Sequence, residues 1–180
     1  EDDGFTAVNT AFLRDGAYVR VPEGSSPEST LHLIFVTTER PQPIVSHPRT
    51  LILVGKHGRL TVVESYVSQS QAPYFTNAVT EMVVSEGAQV EHYRYLMESP
   101  GAFHVGTTRV YQERDSTFNS TSFATGSRLA RNDLQVLLDG PGSSCTVNGL
   151  YVTSGTQHID NHIDIDHAQP HTTSNQYFKG

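Results

Sequence analysis

The sequence holds one cysteine, Cys145, so no disulfide closes within the chain, and a reducing compartment suits it. Tryptophan is absent. Positive charge is scarce: 12 Lys and Arg stand against 19 Asp and Glu, a formal net charge of −7. That balance excludes a general attraction to nucleic acid or to an anionic membrane. No apolar run approaches the roughly 20 residues that a membrane-spanning helix needs. The opening residues do not read as a secretory leader. Neither a G-x-S-x-G nucleophile elbow nor a G-x-x-x-x-G-K-[ST] phosphate loop occurs. Long Ala/Leu/Glu/Lys runs at helical spacing are missing too, and Gly and Pro punctuate the whole length. The class that survives these absences is all-β, and 180 residues suffice for one domain with its own core.

What is present is a repeat. Residues 51–67, 81–97, 109–125 and 134–152 each read as a strand, a short Gly- or charge-bearing turn, and a second strand. Aligned on Leu60, Val90, Phe118 and Cys145, the intervals are 90−60=30, 118−90=28 and 145−118=27. The preceding strands align on Leu53, Val83, Tyr111 and Leu138, with Ile52, Met82, Val110 and Leu137 beside them. One more step of 27 from Leu138 lands on Ile165. Repeats of this length built only from strands predict a solenoid in which equivalent positions stack. Hairpins within each segment, giving a sandwich or barrel, are the competing arrangement. The apolar columns favour stacking. Upstream, residues 5–24 read as a hairpin-like unit turning at Arg14-Asp15-Gly16. Residues 31–37 read as an apolar strand, and Ile44-Val45, set among Pro41, Pro43 and Pro48, as a bend or an edge. The chain opens Glu1-Asp2-Asp3 without an initiator Met and stops at Lys179-Gly180 after a strand-like run, which reads as part of a longer protein.

The C-terminal stretch concentrates chemistry. His158, Asp160, His162, Asp164 and Asp166 alternate with Ile159, Asn161, Ile163 and Ile165, a strand with one apolar and one polar face. His158 and His162 lie about 13 Å apart on a regular strand, too far to share one ion directly. His162 with Asp164, or Asp164 with Asp166, are close enough. Pro170 breaks the strand, so His167 and His171 can turn back toward the row. Such a set is adequate for Zn²⁺ or Fe²⁺, but the spacing H-x3-H-x4-H-x3-H matches no specific zinc motif. The expectation is a hydrated or partner-facing row, with the isoleucines inward and no tightly held metal. Cys145 shares a column with Leu60, Val90 and Phe118 and is expected to be buried and inert. Glu64 and Arg94 fall in one column of adjacent repeats, where an ion pair would be structural.

The order R-N-D-L…L-D-G…C-x-x-N-G-L-Y…H-x-D-N-H…D-H…P-H-x-x-S, carried by residues 129–151 and 157–180, resembles the SufB/SufD family of iron–sulfur cluster assembly scaffolds, and SufD more than SufB. Residues 46–54, 74–81 and 88–96 extend the resemblance. It implies a right-handed parallel β-helix and a non-catalytic scaffold subunit. The implied partners are a SufB-type scaffold and a SufC-type ATPase, with a homodimer also admitted and neither nucleic acid nor membrane. It places the protein in the cytoplasm, or in the plastid stroma of a plant or alga. On this reading residues 1–180 are one β-helix domain lacking C-terminal coils and the helical ATPase-binding region. The span holds no cofactor of its own, the full complex assembles the cluster transiently, and the family's cluster-forming His lies beyond Gly180. Two other functions fit less well. A solenoid enzyme acting on acidic polysaccharide would need a basic groove. A metal-binding solenoid or cupin-like enzyme would need the His158–His171 cluster to converge.

Overall fold

Strands dominate because the apolar residues recur every second position within short segments bounded by turn formers. In the computed structural model, which describes residues 3–69 and 71–180, these segments wind into a β-solenoid of about 6 turns. One helix, α1 (Gly4–Phe12), precedes the strands β1 (Gly16–Val21), β2 (Leu31–Thr37), β3 (Val45–Ser46), β4 (Arg49–Val54), β5 (Arg59–Ser68), β6 (Tyr74–Val84) and β7 (Gln89–Glu98). They are followed by β8 (Ala102–Gln112), β9 (Thr117–Gly126), β10 (Leu129–Leu138), β11 (Ser144–Val152), β12 (His158–Asp166) and β13 (Thr173–Lys179). The first sheet runs β1-β4-β6-β8-β10-β12, with β3 beside β6. The second runs β2-β5-β7-β9-β11-β13. Each neighbouring pair is parallel, so the chain crosses to the opposite sheet after almost every strand. Parallel neighbours cannot be joined by a tight hairpin, which rules out the sandwich arrangement.

The column read from the repeat is present. Leu60 pairs with Val90, Val90 with Phe118, and Phe118 with Cys145, and all four side chains are buried. The facing column is Ile52, Met82, Val110, Val136 and Ile165. Together they form the main apolar core. Each fully buried aliphatic or aromatic side chain there contributes about 1.5–3 kcal/mol relative to exposure.

Two sequence expectations need correction. Leu53, Val83 and Tyr111 continue to Leu137, while Leu138 joins Val54, Val84 and Gln112. Ile165 therefore stacks on Val136. The slip has a local cause. The turns before β5, β7 and β9 occupy residues 55–58, 85–88 and 113–116, whereas the turn before β11 spans 139–143 and is one residue longer. The interval that fits β9 and β11 thus fails for β8 and β10. The second correction is at the N-terminus, where Ala11 and Phe12 close α1 and form no hairpin strand. Asp3 caps the helix, its carboxylate accepting from the Phe5 amide at 3.1 Å and the Thr6 hydroxyl at 3.2 Å. The Asn9 amide then donates to the carbonyls of Pro48 and Asn77, fixing α1 across the outside of the first sheet. β1 pairs with β4 instead. The strand expected at 31–37 is β2, and Val45 enters the two-residue β3.

Candidate functional site

The histidine row lies on β12, at the last position of the first sheet. His158, His162, Asp164 and Asp166 are exposed, while Ile163 and Ile165 pack against the main core and Ile159 against a smaller apolar cluster. The alternation thus divides the strand as its sequence reads. The polar residues do not converge on one point. His162 Nδ1 lies 3.2 Å from Asp133 Oδ1, and the same carboxylate receives Arg131 Nε at 2.8 Å. Arg131 also reaches Asp160 at 3.3 Å. His167 spends both ring nitrogens on hydroxyls, Nδ1 at 2.8 Å from Thr172 and Nε2 at 2.9 Å from Ser174. His171 sits in the following turn with φ 62. Among the described residues no three His, Cys, Asp or Glu side chains are grouped as a metal site. Cys145 is buried, and burial pushes its thiol up to about 11, away from the reactive thiolate.

The sequence reading missed a larger constellation inside the solenoid. The inward positions of β5 and β7 run Leu60, Val62, Glu64, Tyr66 and Val90, His92, Arg94, Leu96, Glu98. Two-residue steps along each strand therefore carry the core from apolar to ionised within one lumen. Glu64 and Arg94 share a column, as their spacing indicates, yet each takes other partners. Glu64 accepts the Thr80 hydroxyl at 2.8 Å and lies 3.2 Å from His92 Nε2. His92 Nδ1 meets the Ser120 hydroxyl at 3.0 Å. Arg94 binds Asn132 Oδ1 and places Nη2 2.8 Å from His104 Nε2. His104 Nδ1 lies 3.0 Å from Glu98, whose carboxylate also accepts Thr76 and Ser127. Asn132 passes the network on to Asn161 of β12. Tyr66 closes one side, its ring 5.4 Å from the Arg94 guanidinium carbon and edge-on to His104.

Donor logic fixes the protonation of this cluster. A guanidinium only donates, so His104 Nε2 must accept from Arg94, and the single ring proton sits on Nδ1 facing Glu98. His104 is therefore neutral, and burial lowers its pKa further against the pull of Glu98. Burial pushes the Glu98 carboxyl up, but His104, Tyr74 and Thr76 together outweigh it and hold the group below its ordinary value. Glu64 behaves alike: desolvation raises it, and His92, Arg94 and Thr80 bring it lower. Gly106 makes the arrangement sterically feasible, because a methyl group there would overlap the Arg94 guanidinium. A cleft of about 1000 Å³ opens where β1, β2 and the 44–48 segment meet, and its floor reaches Tyr66, Thr76 and Glu98. Leu33, Phe35, Ile44 and Pro48 give it a largely apolar wall. Such a lumen can hold charge and exchange a proton between carboxylate and imidazole. Ser120, His92 and Glu64 stand in a hydroxyl–imidazole–carboxylate line, and all three are buried in the lumen. The signal for it was available: the parity fixed by Leu60 and Val90 puts Glu64, His92, Arg94 and Glu98 inside.

Stacked parallel coils around a half-ionic lumen define a parallel β-solenoid. The description "SUF system FeS cluster assembly, SufBD core domain" matches residues 35–180, and the chain belongs to that family. It is 33% identical over 183 residues to an iron-sulfur cluster assembly SufBD family protein of Synechocystis, covering 97% of this chain and 40% of the relative. Identity to the SufD of Escherichia coli is 23%, over 97% of this chain and 42% of that one. Identity to the SufB of Bacillus subtilis is 25%, over 96% and 37%. The chain thus spans about two-fifths of the length of these curated relatives. No helix among the described residues is long and apolar enough to cross a membrane.

Proposed function

We propose that this chain is the β-helical core of a non-catalytic scaffold subunit in a Suf-type complex, SufD-like in role. The observation that supports this most is the family match across residues 35–180, laid over a solenoid whose acid–base groups are locked in mutual hydrogen bonds. Family members serve iron–sulfur cluster assembly, and the cluster is cargo made on the whole complex. This span holds no cofactor of its own in our reading. The partners are a SufB-type scaffold and a SufC-type ATPase, the latter bound through a helical region outside residues 1–180. The setting is the bacterial cytosol or the plastid stroma. The His row faces solvent or a partner and supports the fold at that edge. A cupin-like enzyme would require these imidazoles to converge inside a barrel, whereas His158 and His162 stand on the outer face of a solenoid.

Co-expression tests this. Full-length protein carrying this span, produced with a SufC-type ATPase and a SufB-type scaffold, should co-purify as a stoichiometric complex that gains visible iron–sulfur absorbance on reconstitution. The isolated subunit should show no ATP or polysaccharide hydrolysis. Failure to enter the complex refutes the scaffold reading. A stoichiometric Zn or Fe that survives dialysis and disappears in His162→Ala would restore the metal-enzyme alternative.

A further inference from the structure

The two sheets end in four strands, β1 and β12 in the first, β2 and β13 in the second. β1 carries Arg20, β12 carries Asp160, Asp164 and Asp166, and β13 carries Lys179. β2 alone has no Asp, Glu, Lys or Arg. Charge, proline, a bulge or a covering helix keeps an edge strand from pairing with another chain. β2 has none of these among the described residues, and α1 is fixed to the other sheet. The hydrogen-bonding groups on its open side can be assigned. The Thr37 carbonyl accepts the Gln69 amide at 2.9 Å, so the backbone of Thr37 faces the β5 side. Backbone groups alternate sides along a strand, so Leu33 and Phe35 face β5 as well. The N–H and C=O of His32, Ile34 and Val36 therefore point away from β5, where no described strand lies.

This open edge borders the cleft between β1, β2 and the 44–48 segment. The cleft exists because the first coil is incomplete. β1 pairs with β4 alone, and β3, which pairs with β6, has no described strand on its other side. Leu33 stacks on Glu64 and Phe35 on Tyr66, so the ionic lumen is topped by an apolar layer at this end. Ile34 is 56% exposed, Val36 49%, and Val45, which also lines the cleft, 59%. A strand added to β2 would send every second side chain into the cleft beside Leu33 and Phe35. Charge narrows the choice of strand. Arg14 and Arg40 line the cleft, and neither forms an ion pair among the described residues. Of the two carboxylates in the lining, Asp15 accepts the Gly16 amide at 2.8 Å and Glu98 is held by His104. A second copy would bring only its own β2, which has no acidic residue to answer the two guanidiniums.

We propose that β2 accepts an extended segment of a separate protein as an added strand, its backbone on His32, Ile34 and Val36, alternate apolar side chains in the cleft, and acidic residues against Arg14 and Arg40. Main-chain bonds supply affinity in such strand addition, and side-chain pockets supply choice. The test first places the photo-crosslinking residue p-benzoylphenylalanine at position 34 or 36 of the full-length protein, in the cells it comes from. Both positions should capture one segment, at residues two apart as in a strand. A synthetic peptide of that segment, added to purified full-length protein, should slow amide exchange at Ile34 and Val36 about tenfold and leave Leu33 and Phe35, already bonded to β5, unchanged. Val36→Pro removes an N–H that bonds nothing within the fold, so it should leave the thermal midpoint in place and weaken the peptide about tenfold. Arg14→Glu with Arg40→Glu should weaken it about tenfold through charge. The exchange readout decides the matter even where the proline variant fails to fold. Adducts three or four residues apart, within the same polypeptide, to a second copy, or scattered over unrelated proteins overturn the proposal. So do unchanged exchange at Ile34 and Val36, peptide binding indifferent to either variant, and no adduct at all.

Discussion

The two halves of the lumen are built on the same strands and held by opposite physics. Near the 55–58 corner the stack is Ile52, Met82, Leu60, Val90 and Phe118, where any apolar side chain of the right volume serves. Toward the far corner it is Glu64, His92, Arg94, Glu98 and His104, where each group depends on a named partner. The apolar half is tolerant in chemistry and strict in volume. The ionic half is strict in both, because removing one member leaves another charged and buried.

Mutations separate the two halves most sharply at the network's hub. Arg94→Ala should cost about 3–5 kcal/mol, since Glu64 and Glu98 lose the one buried guanidinium between them. Urea unfolding read by circular dichroism measures it, and a loss below about 1 kcal/mol would show that water already screens the lumen. Phe118→Ala should cost a similar 3–5 kcal/mol for a different reason, the cavity it leaves. The decisive contrast is the double variant Glu98→Leu with His104→Leu. It should cost clearly less than the sum of its singles, because the pair leaves together. No such relief is expected for two truncations in the apolar half.

Acid should act on one half only. Glu64 and Glu98 titrate below their ordinary values in the fold, so the stability they confer is complete above about pH 4.5 and is lost as pH falls through their lowered values. His104 adds the same sign. Its folded pKa lies below the unfolded 6.5, so protonation favours the unfolded chain as pH drops under that value. Chemical denaturation from pH 7.5 to 4 should show falling stability, with a shallower decline in the Glu98→Leu/His104→Leu variant. Equal slopes would detach the acid response from this network. Cys145 belongs to the apolar half and should react slowly with iodoacetamide at pH 7.5, at a rate that rises with urea. Smallest of all, His162→Ala should change stability by under about 1 kcal/mol, because its pairing with Asp133 is solvent-exposed on the histidine side.

The apolar half was legible in the sequence because stacking repeats residue type at fixed positions, as Leu60, Val90, Phe118 and Cys145 do. The polar face of β12 was legible for the same reason, since parity alone sorts Ile163 from His162. The ionic half was not. Its members sit at inward parity but do not repeat in type: His92 follows Val62 and precedes Ser120 in one column. Its partners also come from the opposite sheet, as Thr80 does for Glu64, and neither spacing nor composition joins two sheets. The N-terminal helix escaped notice because its apolar residues face outward. Thr6 and Asn9 are buried against the sheet while Val8 and Phe12 are exposed, the reverse of the pattern that marks a surface helix.

The turn at 139–143 accepts one residue more than its neighbours while β10 and β11 on either side keep their partners. Length variation is thus absorbed at the corners. The same insertion inside β7, between Val90 and His92, would reverse the facing of everything after it. His92, Arg94 and Glu98 would point to solvent, and Glu91, Tyr93 and Tyr95 would shift in facing or register against a lumen shaped for others. Related chains should therefore drift in length at the corners, while the spacing from Val90 to Glu98 stays fixed. A length-scanning library with single insertions through residues 85–145 would trace that boundary residue by residue.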